Sequence, residues 1–222
     1  MRTAARLMLA LALVAPALPV SVAQAQDRNM AHVHLGHVAD RFAGTPSDAG
    51  LIAAALAEAQ VAAQHAGLAG QEPENLAYIK QHTVHVLHAI DPTVEEEGPG
   101  GGYGAKQAAG NAIQHITMAA DFEGASTAVE VLGVQIATAT GNVVRWADEL
   151  IAVGQQILAS EDAAAVVELV AEMATLANKI VGGFDVDEDG RITWQEGEGG
   201  LRQASEHADL LKRAEGLGGP ER

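Results

Sequence analysis

The chain has 222 residues, with 29 acidic side chains against 13 lysines and arginines, a formal net charge of −16 at pH 7, 48% hydrophobic residues and no cysteine. That charge repels phosphate backbones and argues against a nucleic-acid partner. The absence of thiols excludes disulfides, thiolate metal sites and covalent c-type haem attachment, so any metal site must draw on oxygen, imidazole or thioether.

Residues 1–25 read as a signal peptide. Arg2 and Arg6 form a basic start, Leu7 to Val14 an apolar run, and Ala23-Gln24-Ala25 a small-residue cleavage site. Pro16 and Pro19 cut the apolar run short of the roughly 20 residues a membrane span needs. The reading is a periplasmic or secreted protein, with 26–222 a single helical domain and no membrane span after cleavage. Removal of the leader takes away two arginines and no acid, which leaves the remainder more acidic still.

Helical periodicity runs through the rest, and no stretch alternates apolar and polar residues long enough for a sheet. Abundant alanine and only 3% aromatics predict an all-α multi-helix bundle with closely spaced helices. A first helix is expected over 29–42, with Ala31, Leu35, Val38 and Phe42 on one face. Thr45-Pro46-Ser47-Asp48 carries an N-cap, a first-turn proline and a capping-box-like acid for a helix reaching about Leu68. Pro73 opens another, ended by Asp91-Pro92. Residues 95–104, Glu-Glu-Glu-Gly-Pro-Gly-Gly-Gly-Tyr-Gly, read as a flexible connection or lid. They lack the strand and the Gly-Lys-Ser/Thr ending of a phosphate loop, and three glutamates would repel phosphate. Helices over 105–122, 126–159, 162–181 and 201–215 complete the bundle. No internal repeat at a fixed period is evident.

Seven of the nine histidines lie before residue 90. His34 and His37 share a helix face, as do His82, His85 and His88, whose centre points about 140° from the apolar stripe of their helix. Three readings stand open. The imidazoles hydrogen-bond to neighbouring helices and solvent; or they form a transition-metal site (Cu, Zn or Fe) or a non-covalent haem b site where the two histidine-bearing helices meet; or they do acid–base catalysis, which has little support. Neutral imidazole suits these metals, and same-face spacing lets two ligands share one ion. His115 and Met118 on the next helix would add an imidazole and a thioether, although Met30, Met118 and Met173 read first as packing residues. The candidate ligands are therefore His34, His37, His82, His85, His88 and His115. Neither the Glu-x-x-His pairs of a di-iron bundle, nor His-Glu-x-x-His, nor Gly-x-Ser-x-Gly is present, so the chain does not read as an enzyme.

Residues 185–196, Asp-Val-Asp-Glu-Asp-Gly-Arg-Ile-Thr-Trp-Gln-Glu, place oxygen donors in a set order. Asp185, Asp187 and Asp189 stand at loop positions 1, 3 and 5, Arg191 offers a carbonyl at 7, Thr193 stands at 9 and Glu196 at 12, with Gly190 at the turn position 6. Phe184 before the first aspartate and Ile192 at position 8 complete the pattern. The stretch resembles an EF-hand calcium loop, and the resemblance implies Ca²⁺ held by Asp185, Asp187, Asp189, Arg191, Thr193 and Glu196. Gly197, Gly199 and Gly200 should delay the exit helix to about Leu201. No second loop is present, so Ile192 has no internal partner, and two chains would pair their loops in a homodimer. The expectation is an exported calcium-binding helical protein whose ion is structural or docking rather than switching. The alternative is a periplasmic transition-metal or haem protein that uses the histidines.

Overall fold

The computed structural model describes residues 29–217. Residues 1–25, read above as a signal peptide, therefore lie outside the described residues. Seven α-helices and no strand occur among those described: α1 (Met30–Ala39), α2 (Leu51–Ala69), α3 (Leu76–Ile90), α4 (Ala105–Ala120), α5 (Thr127–Ala159), α6 (Val167–Gly182) and α7 (Leu201–Ala214). The multi-helix bundle expected from composition is the fold. None of these helices is long and apolar enough to cross a membrane.

Side-chain caps set several starts. The Asn29 carboxamide oxygen accepts from the Ala31 amide, that of Asn75 from Tyr78, and the Ser126 hydroxyl oxygen from Val129. Pro73 thus precedes α3, whose first turn is fixed by Asn75. The stretch from Thr45 departs from expectation: Pro46–Asp48 is a short 3₁₀ turn and α2 begins only at Leu51. The Thr45 hydroxyl donates to the carbonyls of Phe42 and Ala49 instead of capping. Gly50 lies so close to the Ala39–Asp40 backbone that a Cβ there would come within 2.6 Å of it. A similar 3₁₀ turn, Ala164–Val166, precedes α6.

The 33-residue α5, about 50 Å long at 1.5 Å per residue, is the spine. It packs against α3, α4, α6 and α7, while α1 lies on α4 and α2 lies between α3, α4 and α6. Alanines with no exposed surface, among them Ala55, Ala59, Ala62, Ala109 and Ala112, permit the close approach of α2 to α4. Gly154 of α5 serves the same end, since a Cβ there would stand 2.7 Å from Leu87. Because α3 has α2 on one side and α5 on the other, its histidine face is covered as well as its apolar stripe, and both His82 and His88 are buried.

The glycine-rich segment is fastened. Glu58 of α2, 2% exposed, accepts from the amides of Gly101 at 3.1 Å, Tyr103 at 2.9 Å and Gly104 at 3.5 Å. Gly100, at φ 127°, has no room for a Cβ beside the Glu58 carboxylate. From the other side His88 Nδ1 meets the Glu95 carbonyl at 2.9 Å, and Gly98 packs on the His88 ring. The segment is a strapped connection, and the cause is a buried carboxylate 43 to 46 residues upstream that no local pattern reveals.

Candidate metal centres

The structure assembles six histidines into two trios, each with ligand atoms within 4.8 Å of one another. In the first, His34 and His37 of α1 face His115 of α4. Nδ1 of His34 stands 2.9 Å, and Nδ1 of His37 3.3 Å, from Nδ1 of His115. In the second, His82 and His85 of α3 face His65 of α2, again with Nδ1 to Nδ1 distances of 2.9 Å and 3.3 Å. The histidines expected to meet between the two histidine-rich helices are thus split into two separate groups. Helix α1 pairs with α4 and α3 with α2, so the same-face pairs never meet each other.

The convergence of three Nδ1 atoms is hard to satisfy with hydrogen bonds alone. A neutral imidazole nitrogen carries either one hydrogen or one lone pair. Nδ1 of His115, facing two others, can form one full hydrogen bond, and so can Nδ1 of His65; the remaining contact in each trio is left unmatched. A cation at the centre would accept all three lone pairs. Donors about 2.0–2.1 Å from a tetrahedral zinc stand about 3.3–3.4 Å apart, against 2.9 and 3.3 Å for the two contacts to the lone histidine of each trio.

Two histidines of each trio are biased towards the neutral form that metal binding requires. Burial, followed by the charge of His37, lowers the pKa of His34. Burial and then the charges of His37 and His34 lower that of His115. His65 is lowered by burial and then by His85 and His82. His82 is lowered by burial and His85, partly opposed by Glu72. Aromatic rings wall both sites: Phe42 lies edge-on to His37 and His115, and Tyr78 stands 4.4 Å from His82.

Other histidines have different work. His88, a candidate ligand by sequence, straps the glycine segment and belongs to neither trio. His32 Nε2 pairs with Glu215 Oε2 at 2.7 Å. Of the methionines read as packing, Met173 is fully buried, but Met30 and Met118 are 43% and 42% exposed. His65 was not among the sequence candidates. Its signal was the dipeptide Gln64-His65, which recurs as Gln114-His115 on another alanine-containing helix, although Gln81-His82 carries it too.

A third group lies in the loop between α6 and α7. Carboxylate oxygens of Asp185, Asp187 and Glu198 converge within 4.8 Å. The loop turns at Gly190, φ 85°, with the Gly190 amide donating to Asp185 Oδ2 at 2.9 Å and the Arg191 amide to Asp189 Oδ1 at 2.8 Å. Asp185 Oδ1 is buried with no hydrogen-bond partner. Glu196 points outward, its side chain 84% exposed and 3.4 Å from Arg145. Glu198, 6% exposed, turns inward and accepts from the Thr193 amide at 3.0 Å and from its hydroxyl at 2.5 Å. The loop closes through the Phe184 amide to the Glu198 carbonyl, and α7 begins at Leu201 as the glycines imply. Asn142 of α5 holds its exit, donating to the carbonyls of Gln195 and Gly199 and accepting from the Gly197 amide.

Compared with protein-family models, with curated proteins and with solved structures, the chain matches none.

Proposed function

We propose that the protein binds first-row transition-metal ions at two tris-histidine centres, one at His34, His37 and His115 and one at His65, His82 and His85. The observation that carries this reading is the approach of two Nδ1 atoms to a third, at 2.9 and 3.3 Å, with all three ligand atoms within 4.8 Å of one another, found twice. Imidazole donors suit zinc, copper, nickel and iron. Three protein ligands leave a fourth position open, which allows an ion to be exchanged with another donor and suits a carrier or store. The acidic surface raises the local cation concentration. A bare ion fits better than haem, because an axial pair must approach iron from opposite faces of a porphyrin, whereas these nitrogens crowd around one point. The leader-like residues 1–25 would place this work in the periplasm or outside the cell.

Metal analysis and a competitive chelator titration with zinc and with copper test the reading. Saturable uptake is expected, with loss when His34 and His82 are both replaced by alanine. Uptake that is absent, or that survives both substitutions, would overturn it.

Calcium between α6 and α7 is a second reading, favoured by the buried, partnerless Asp185 Oδ1. Glu198 in place of Glu196 would complete that shell with Asp185 and Asp187. The ion would offset the repulsion of these acids and dock α7, a structural role compatible with dissociation constants of roughly 10⁻⁴ to 10⁻³ M for extracellular modules. A melting temperature that is the same in chelator and in millimolar calcium would exclude it. Ile192, 40% exposed, would meet a second copy in a loop-paired dimer, which a size measurement with and without calcium decides.

A further inference from the structure

The two trios correspond residue by residue. Moving His34 and His37 along by 48 positions (34 to 82, 37 to 85) gives His82 and His85, and moving His65 along by 50 (65 to 115) gives His115. Geometry follows the same correspondence. The first histidine of each His-x-x-His lies 2.9 Å from the lone histidine and the second 3.3 Å, in both trios. The ring planes are inclined 36° and 30° for the first contact, and 81° and 80° for the second.

The supporting helices agree. Every buried residue of α4, from Ala105 to Ala119, lies 50 positions after a buried residue of α2, from Ala55 to Ala69 (105 − 55). The buried Ala31, Leu35 and Val38 of α1 fall on the buried Ile79, Thr83 and Val86 of α3. Matching alanines carry little weight in an alanine-rich chain. The weight rests on the three ligands, the shared Gln-His and the shared Val38 and Val86. The aromatic rings beside the ligands differ: Tyr78 beside His82 corresponds to Met30, and Phe42 beside His37 corresponds to Ile90. The ligands are the same while these walls are not.

Packing relates the copies by exchange. Helix α1 rests on α4 and α3 on α2, α2 meets α4 between them, and the contacts of α1 with α2 and of α3 with α4 are slight. Exchanging the two hairpins maps this arrangement onto itself. We infer that α1–α2 and α3–α4 are two copies of one helical hairpin paired about an approximate two-fold axis. Each copy gives its His-x-x-His to one centre and its lone histidine to the other. The protein then holds two equivalent imidazole-bound cations, each tying one copy to the other. The inference rests on the metal-binding reading for its ligands, and adds that the centres are crossed and alike.

Cobalt(II) titration of the full chain, followed by its visible spectrum, tests it, with circular dichroism to verify that each variant is folded. Two ions per wild-type chain are expected. The double substitution His34→Ala with His115→Ala should leave one ion, as should His82→Ala with His65→Ala, and the two remaining single-centre spectra should share one shape. By contrast, His34→Ala with His65→Ala, both within one copy, should leave none. If that pair retains one ion while the His34 and His115 pair retains none, the centres lie within the copies and the inference is wrong. Single-centre spectra of different coordination number would also overturn it. A wild-type chain that takes up no cobalt, zinc or copper instead defeats the metal reading beneath it, a result distinct from either of these.

Discussion

Asn142→Ala removes the clamp at the exit of the acidic loop. Asn142 is 2% exposed, and its carboxamide donates to the Gln195 carbonyl at 2.8 Å and the Gly199 carbonyl at 3.0 Å while accepting from the Gly197 amide at 2.9 Å. These three losses are unequal, and a fourth, the Arg145 guanidinium that donates to Asn142 Oδ1 at 3.1 Å, is partly exposed and costs little. The Gln195 carbonyl keeps the amides of Glu198 and Gly199, so its loss is small. The Gly199 carbonyl lies in a buried residue, and an unsatisfied buried acceptor costs about 1–3 kcal/mol. The Gly197 amide is half-buried and adds about 1 kcal/mol. The sum is about 2–4 kcal/mol, which for a domain of this size lowers Tm by roughly 5–15 °C. Urea unfolding gives the free energy, and hydrogen exchange at Gly197 and Phe184 should show the loop opening ahead of the bundle. A variant within about 0.5 kcal/mol of wild type, with unchanged exchange at those amides, would refute the clamp.

The metal-free protein should lose stability on mild acidification. His34, His65, His82, His115 and His207 have folded-state pKa values lowered from 6.5, chiefly by burial. The unfolded chain therefore binds more protons than the folded one as pH falls past 6.5. Their contribution is complete above that value and lost as pH drops through the folded values, so Tm should fall from pH 7.5 to 5.5; a Tm that rises over that interval would be the wrong sign. Glu58→Ala leaves three amides of the glycine segment without their carboxylate acceptor. It should cost about 1–3 kcal/mol, since Gly101 is exposed and its amide can turn to water, and open residues 98–104 to limited proteolysis, an effect that unchanged cleavage would deny. In the acidic loop, Glu198→Gln should abolish calcium uptake by calorimetry while Glu196→Gln leaves it nearly intact, and the reverse order would restore the twelfth loop residue as the ligand.

Helix positions and their breaks follow from local chemistry, and so they could be read from the residues: proline, glycine and Asn caps act within a turn of where they stand. The places that escaped such reading are those where distant segments meet. Thr45 has the credentials of an N-cap, yet its hydroxyl is taken by carbonyls that only the folded turn brings near. His82, His85 and His88 are indistinguishable by periodicity, and it is the packing of α2 and of the glycine segment on α3 that makes two of them candidate ligands and the third a strap. His65 is a lone histidine until α2 meets α3. The duplication was hidden because its spacing shifts from 48 to 50 between the paired helices (34 to 82, 65 to 115), and because alanine matches count for little. Glu198 was passed over because counting along the loop ends at Glu196, whereas the glycines after it let the chain fold back and turn the later glutamate inward.

X-ray absorption on the zinc- or copper-loaded protein decides whether the trios bind metal, because it counts the imidazoles around the ion. Three imidazole nitrogens at about 2.0–2.1 Å are expected, with the multiple scattering of histidine rings. A shell of oxygen donors only, or one imidazole per ion, would contradict it.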